Sequence, residues 1–230
     1  MKSNFFLLLI FLIPVTFFAQ TINNNNSYQV EAYDQMGRPF TAPGVRKAEG
    51  SPLLNDEWGK GQVKFKRGPV LSNVDLQFNL ENNELYFRKE GFTFIFVDTV
   101  TEFKILYKAK DTNQFAIFRN HYPDGRNTSR LTYFEVLAEG NKVHLLKHIY
   151  KTIQEKYRYG EQPKKEYELK EVLYVYTPGN QMLVKIKPGL NQLTSALPDF
   201  AKEIKQIAHA KKLNPDDEAG LILLINELNK

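Results

Sequence analysis

The chain has 230 residues, with 31 Lys and Arg against 26 Asp and Glu, a formal net charge of +5 and no cysteine. The missing thiols exclude disulfides, thiol catalysis and thiolate metal sites together. The basic excess is small and scattered, and its densest cluster, Lys164 and Lys165, stands beside Glu166 and Glu168; such a balance favours solubility and argues against nucleic acid as a partner.

The first residues carry one charge, Lys2, ahead of an apolar run from Phe5 to Ala19. A membrane span needs about 20 apolar residues, and this shorter run contains Pro14. The pattern reads as a secretory signal over 1–19, cleaved after Ala19. The expected location is therefore periplasmic or secreted, with no integral membrane segment after cleavage. The lack of any Cys after the run excludes a lipid-modified lipoprotein. The mature chain of about 210 residues suits one large domain, or one domain with an appendage. Residues 20–48 hold an Asn run (Asn23 to Asn26), Pro39, Pro43 and Gly44, and few apolar residues at any period. They read as a flexible N-terminal arm, because such a segment buries too little surface to offset its ordering entropy.

Residues 49–61, EGSPLLNDEWGKG, contain the only tryptophan, Trp58. The pattern predicts a short helical turn. Asn55 caps it, Asp56 and Glu57 sit in its first turn, and Gly59 and Gly61 end it. Trp58 would then pack downward and anchor the arm. A sugar platform or an acid/base pair from Asp56, Glu57 and Trp58 is the other reading, but adjacent carboxylates point apart and rarely face each other across a cleft.

From Gly61 the texture turns to β. Alternation and turn residues predict strands at 63–66, 74–80, 84–89, 92–97, 103–108, 114–119, 131–137, 167–176 and 182–187. ENNE (81–84) is a hairpin turn, since Asn tolerates positive φ. FTFIFV (92–97) is apolar on both faces and predicts a central, doubly covered strand. KVHLLKHIYKTI (142–153) fits either a strand or an amphipathic helix; its β-branched and aromatic mix favours the strand. After Pro188-Gly189 the period becomes helical: a short helix at 190–196, a longer one over 200–213 with Asn214 capping its exit, and a last one opened by Pro215 and the acidic run 216–218.

The expected fold is mainly β (α+β): an antiparallel β-meander forming a curled sheet or half-barrel over 49–187, with a C-terminal helical segment, 188–230, packed on it.

No catalytic, metal or cofactor site is legible. There is no G-x-S-x-G elbow, phosphate loop or dinucleotide fingerprint. His144 and His148 could share a metal on a helix, but on a strand they stand about 13 Å apart. His121 and His209 are isolated. Asn127-Thr128-Ser129 matches N-x-S, and Asp98-Thr99-Val100 matches a short O-glycosylation acceptor of exported Bacteroidota proteins. The aromatic residues at strand spacing either fill a core or line an apolar cavity. The ligand-binding candidates are Trp58, Phe94, Phe96, Tyr174 and Tyr176.

The signal ending Phe-Phe-Ala-Gln, the stretches GSPLLNDEWGKGQV, LSNVDLQFNLENNELYF and YFEVLAEGNKVHLLKH, and the helical end resemble an uncharacterised family of exported Bacteroidota proteins over most of 50–229. The resemblance implies one domain of unknown function and transfers no site residue. The expected function is a non-enzymatic periplasmic binding or accessory module. Its partner would be an apolar small molecule, a glycan or an envelope protein. A hydrolase of cell-envelope material and a structural or adhesion-like module are the alternatives.

Overall fold

The computed structural model describes residues 48–109, 112–157 and 162–230. The signal segment and all of the arm except Ala48 lie outside the described residues.

Among the described residues, ten strands form one antiparallel sheet. In chain order they are β1 (Gly59–Phe65), β2 (Val70–Asn79), β3 (Glu84–Lys89), β4 (Phe92–Ile95), β5 (Val100–Ala109), β6 (Thr112–Arg119), β7 (Phe134–Ala138), β8 (His144–Lys156), β9 (Lys164–Thr177) and β10 (Met182–Ile186). The turns form where turn chemistry puts them: Asn83 takes φ 57° between β2 and β3, and Glu90 and Gly91 take 52° and 84° between β3 and β4. The 142–153 segment is strand β8, not helix. Three α-helices follow, α1 (Leu190–Ala196), α2 (Ala201–Lys211) and α3 (Glu218–Leu228). The fold is thus mainly β with C-terminal helices. No helix among the described residues is long and apolar enough to cross a membrane.

The spatial order is β10-β9-β8-β7-β6-β5-β1-β2-β3-β4. This corrects the simple meander: β5 returns to pair with β1, leaving β4 at an edge. It also forces curvature. Ile95 at the end of β4 is level with Tyr86 and hence with Gln77 of β2, whereas Val100 at the start of β5 lies beyond the level of Val70. The run from Val70 to Gln77 alone spans about 23 Å along the strand. Residues 96–99 bridge at most about 19 Å. A flat sheet cannot close that gap, so β1–β5 coil around their apolar face. Phe78, Phe103 and Phe118 fill that coil with ring centroids 5.0–5.1 Å apart.

The same topology corrects the reading of FTFIFV. As an edge strand it turns only Phe94 and Phe96 inward, against Phe87, while Phe92 and Val97 stay exposed. At 131–137 the strand starts only at Phe134. Tyr133 instead leaves the loop to enter the core, its hydroxyl donating to Val100 O at 2.8 Å.

Residues 55–58 form no helical turn. Gln77 of β2 competes for the backbone: its Nε2 donates to Asp56 O at 2.9 Å. Gly59 and Gly61 belong to β1, where a Cβ on Gly61 would lie 2.3 Å from Lys104 O of β5. Their task is close strand approach, not helix termination. The anchoring is done by main chain, through Leu54 N to Phe78 O (2.8 Å), Leu80 N to Pro52 O (2.9 Å) and Glu49 N to Lys165 O (2.7 Å).

Helices α1–α3 cover one face of β7–β10 and bury Leu193, Ile204, Leu221, Leu224 and Ile225 against Leu145, Val175 and Ile186. Lys212, at φ 52°, ends α2 in place of Asn214. Asp217 caps α3 by accepting from Gly220 N at 2.8 Å.

Candidate functional site

Among the described residues, the opposite face of β7–β10 carries no helix. Strand alternation sends His144, Leu146, His148 and Tyr150 of β8 to this side. Their cross-strand neighbours on β9 are Tyr176, Tyr174 and Val172, opposite His144, Leu146 and His148 in turn. Lys185 of β10 stands opposite Tyr174. Phe134 of β7 meets His148 at 5.5 Å and Tyr174 at 5.4 Å between ring centroids. The His148 and Tyr150 rings stack at 4.7 Å. The face is therefore an aromatic wall carrying two imidazoles.

Two loops border it: the β2–β3 turn, and residues 120–133 between β6 and β7. Asn83 joins them, donating from Nδ2 to Leu131 O at 2.9 Å and accepting at Oδ1 from Tyr133 N at 3.0 Å. Between these loops and the wall lies a groove of about 310 Å³, with His148, Tyr150, Val172, Tyr174 and Lys185 on the sheet side and Leu80, Glu81, Asn83, Asn127 and Thr132 on the loop side.

A larger hollow of about 400 Å³ lies across Asn83, between residues 82–85, 95–100, Asn120, Leu131 and Tyr133. Most of its polar side chains serve the fold: Asn83 as above, Asn120 donating to Val100 O at 2.9 Å, Tyr133 to the same carbonyl, and Glu84 accepting from Tyr86 at 2.8 Å; Asp98 and Thr99 line it as well. The smaller groove differs. Among the described residues, the His148 nitrogens, the Tyr150 and Tyr174 hydroxyls, the Asn127 amide and Lys185 Nζ have no hydrogen-bond or ion-pair partner. Five polar groups without a protein partner thus border one hollow, Asn127 and Lys185 exposed and the others half-buried or buried; aromatic walls with a few convergent polar groups are what ligand pockets share.

The electrostatics of the groove are quiet. Burial pushes the His148 imidazole down to about 4, so it is neutral at pH 7. Burial, with Tyr150 nearby, raises the Tyr174 phenol. Glu81 accepts from Tyr167 at 2.9 Å. No nucleophile is paired with a base.

Near the other end of the face, Tyr122 OH lies 3.4 Å from His144 Nδ1, and His144 Nε2 lies 4.0 Å from Glu139 Oε1. Arg119 ties Glu139 to Glu102, at 2.5 Å to each. Burial raises Tyr122 to about 12 and lowers His144 against the pull of Glu139. The cluster latches the 120–133 loop down through Tyr122.

Comparison with protein-family models, with curated proteins and with solved structures finds no match for this chain.

The site residues expected from sequence separate into three places. Tyr174 and Tyr176 lie on the aromatic wall. Phe94 and Phe96 pack on the core of the coiled half. Trp58 lies under the Arg88 guanidinium, 5.2 Å from its ring centroid, and not in a buried anchor. Asp56 and Glu57 are exposed. His144 and His148 share a face but serve separate clusters, and among the described residues no group of three or more potential ligands could hold a metal. Sequence reasoning missed His148 as a site residue, together with Tyr150, Asn127 and Lys185. The i, i+2 spacing of His148 and Tyr150 on a strand was the available signal; Asn127 and Lys185 join only through tertiary structure.

Proposed function

We propose that this protein is a non-catalytic binding module whose ligand occupies the groove between the aromatic wall of β8–β10 and the loops at 80–83 and 127–132. The observation that carries the reading is the set of uncommitted polar groups beside stacked His148 and Tyr150. An aromatic wall supplies apolar area and shape, and a few free donors and acceptors set orientation. The neutral imidazole and the raised phenol favour holding a ligand over proton chemistry. For an exported chain, as its first residues suggest, the ligands within reach are envelope material and nutrients in the periplasm.

A thermal-shift screen of chemically varied small polar and cyclic compounds tests this. Compounds that raise the melting temperature of the wild type should lose their effect on Tyr150→Ala and His148→Phe. Equal shifts in the variants, or no stabilising compound, would count against the groove.

A further inference from the structure

The free groups in the groove differ in kind. The Tyr150 and Tyr174 hydroxyls, the neutral imidazole and the Asn127 amide can each both donate and accept. These match the mixed donors and acceptors of sugar hydroxyls. The rings of His148 and Tyr150 supply aromatic surface on which the C–H face of a pyranose can pack. Lys185 differs from all of them: it is a full cation on a flexible stem, exposed, and without an ion pair among the described residues. Some lysines of the same sheet hold carboxylates, as Lys170 does with Glu168 at 2.7 Å and Lys60 with Asp75 at 2.8 Å; Lys185 differs from the other unpaired ones in lining the groove. The one carboxylate on the groove, Glu81, lies on the loop side and accepts from Tyr167. The groove thus has a cationic sheet side and an anionic, hydroxyl-accepting loop side.

We infer that the ligand, if it sits in this groove as proposed above, is a carboxylate-bearing saccharide of one or two rings, with its ring along His148 and Tyr150 and its carboxylate on Lys185. A charged hydrogen bond at a half-enclosed rim adds specificity for the acid over its neutral ester. Asn127 and Glu81 take hydroxyls on the far side.

Titration calorimetry with digalacturonate and its dimethyl ester tests this, because esterification removes the charge and adds no more than a methyl group at each carboxylate. The wild type should bind the acid about tenfold more tightly than the ester. Lys185→Met should erase that difference. Tyr150→Ala should weaken both. Equal binding of acid and ester by the wild type, or a preference that survives Lys185→Met, overturns the charge assignment alone. Binding of both sugars untouched by Tyr150→Ala overturns the groove as well. No binding of either sugar, alongside thermal-shift compounds that Tyr150→Ala silences, overturns the saccharide class and keeps the groove.

Discussion

Lys147 Nζ of β8 lies 3.1 Å from Glu218 Oε1, so the sheet holds the first residue of α3 through one ion pair. The same ammonium stands 3.0 Å from Glu135 Oε2 of β7, a contact by charge with no aligned hydrogen bond. Burial pushes the Glu135 carboxyl up despite Lys147. Lys147 is itself raised: two carboxylates outweigh its own burial. Lys147→Met should cost about 3–5 kcal/mol by stranding the buried Glu135 charge. The double variant Lys147→Met with Glu135→Leu should regain most of it, while Glu218→Gln, at a partly exposed site, should cost under about 1 kcal/mol. Urea unfolding reads all three; a double variant no better than the single would contradict the assignment.

His148 gives an acid-side signature. Its folded value of about 4 lies below the roughly 6.5 of an unfolded chain. Between those values the unfolded chain binds a proton that the folded chain refuses. Stability is therefore full above about pH 6.5 and falls as pH drops, by on the order of 3 kcal/mol once pH is below about 4. His144, also lowered by burial, adds to the same limb. His148→Phe should flatten the melting temperature against pH in this window. An unchanged slope would show that His148 is not buried as neutral imidazole.

Lys151 staples the chain that enters the sheet. Its Nζ donates to Ser51 O at 2.9 Å and Leu53 O at 2.6 Å, and its backbone N donates to Leu80 O at 3.2 Å. Replacing it with Met keeps the apolar stem and removes both side-chain bonds, each worth about 1–3 kcal/mol when a charge is involved. Hydrogen exchange should accelerate at Leu54 and Leu80 and stay slow at Leu145. Uniform acceleration would mean that the segment is not separately held.

Gly220 makes a prediction against helix propensity. Alanine is the better helix former by about 1 kcal/mol, yet a Cβ here would lie 1.8 Å from Asn214 O. Gly220→Ala should therefore destabilise more than Asp217→Ala, which removes a cap worth about 1 kcal/mol. Thermal melts in the opposite order would contradict the close approach of α3 to the 214–215 loop.

Local signals carried most of the fold. Asn83, Gly91 and Gly189 mark chain reversals by backbone preference alone, and alternation found the strands from VDLQFNL to MLVKIK. Failures came where distant partners decide. FTFIFV reads as a central strand because its apolar density is a local property, whereas its edge position follows from β5 pairing with β1. Asn55 reads as a cap because nothing nearby reveals Gln77. The site was half legible. Tyr174 is an aromatic at strand spacing, but Lys185 and Asn127 meet it only through the hairpin to β10 and the loop that Tyr122 holds down.

Whether a ligand sits in the groove beside His148 and Tyr150 is read from backbone amide chemical shifts, recorded with and without a compound that stabilises the protein. Perturbations should concentrate at His148, Tyr150, Val172, Tyr174, Lys185 and Asn127. Perturbations centred on residues 95–100 and 120, in the larger hollow, would contradict that placement.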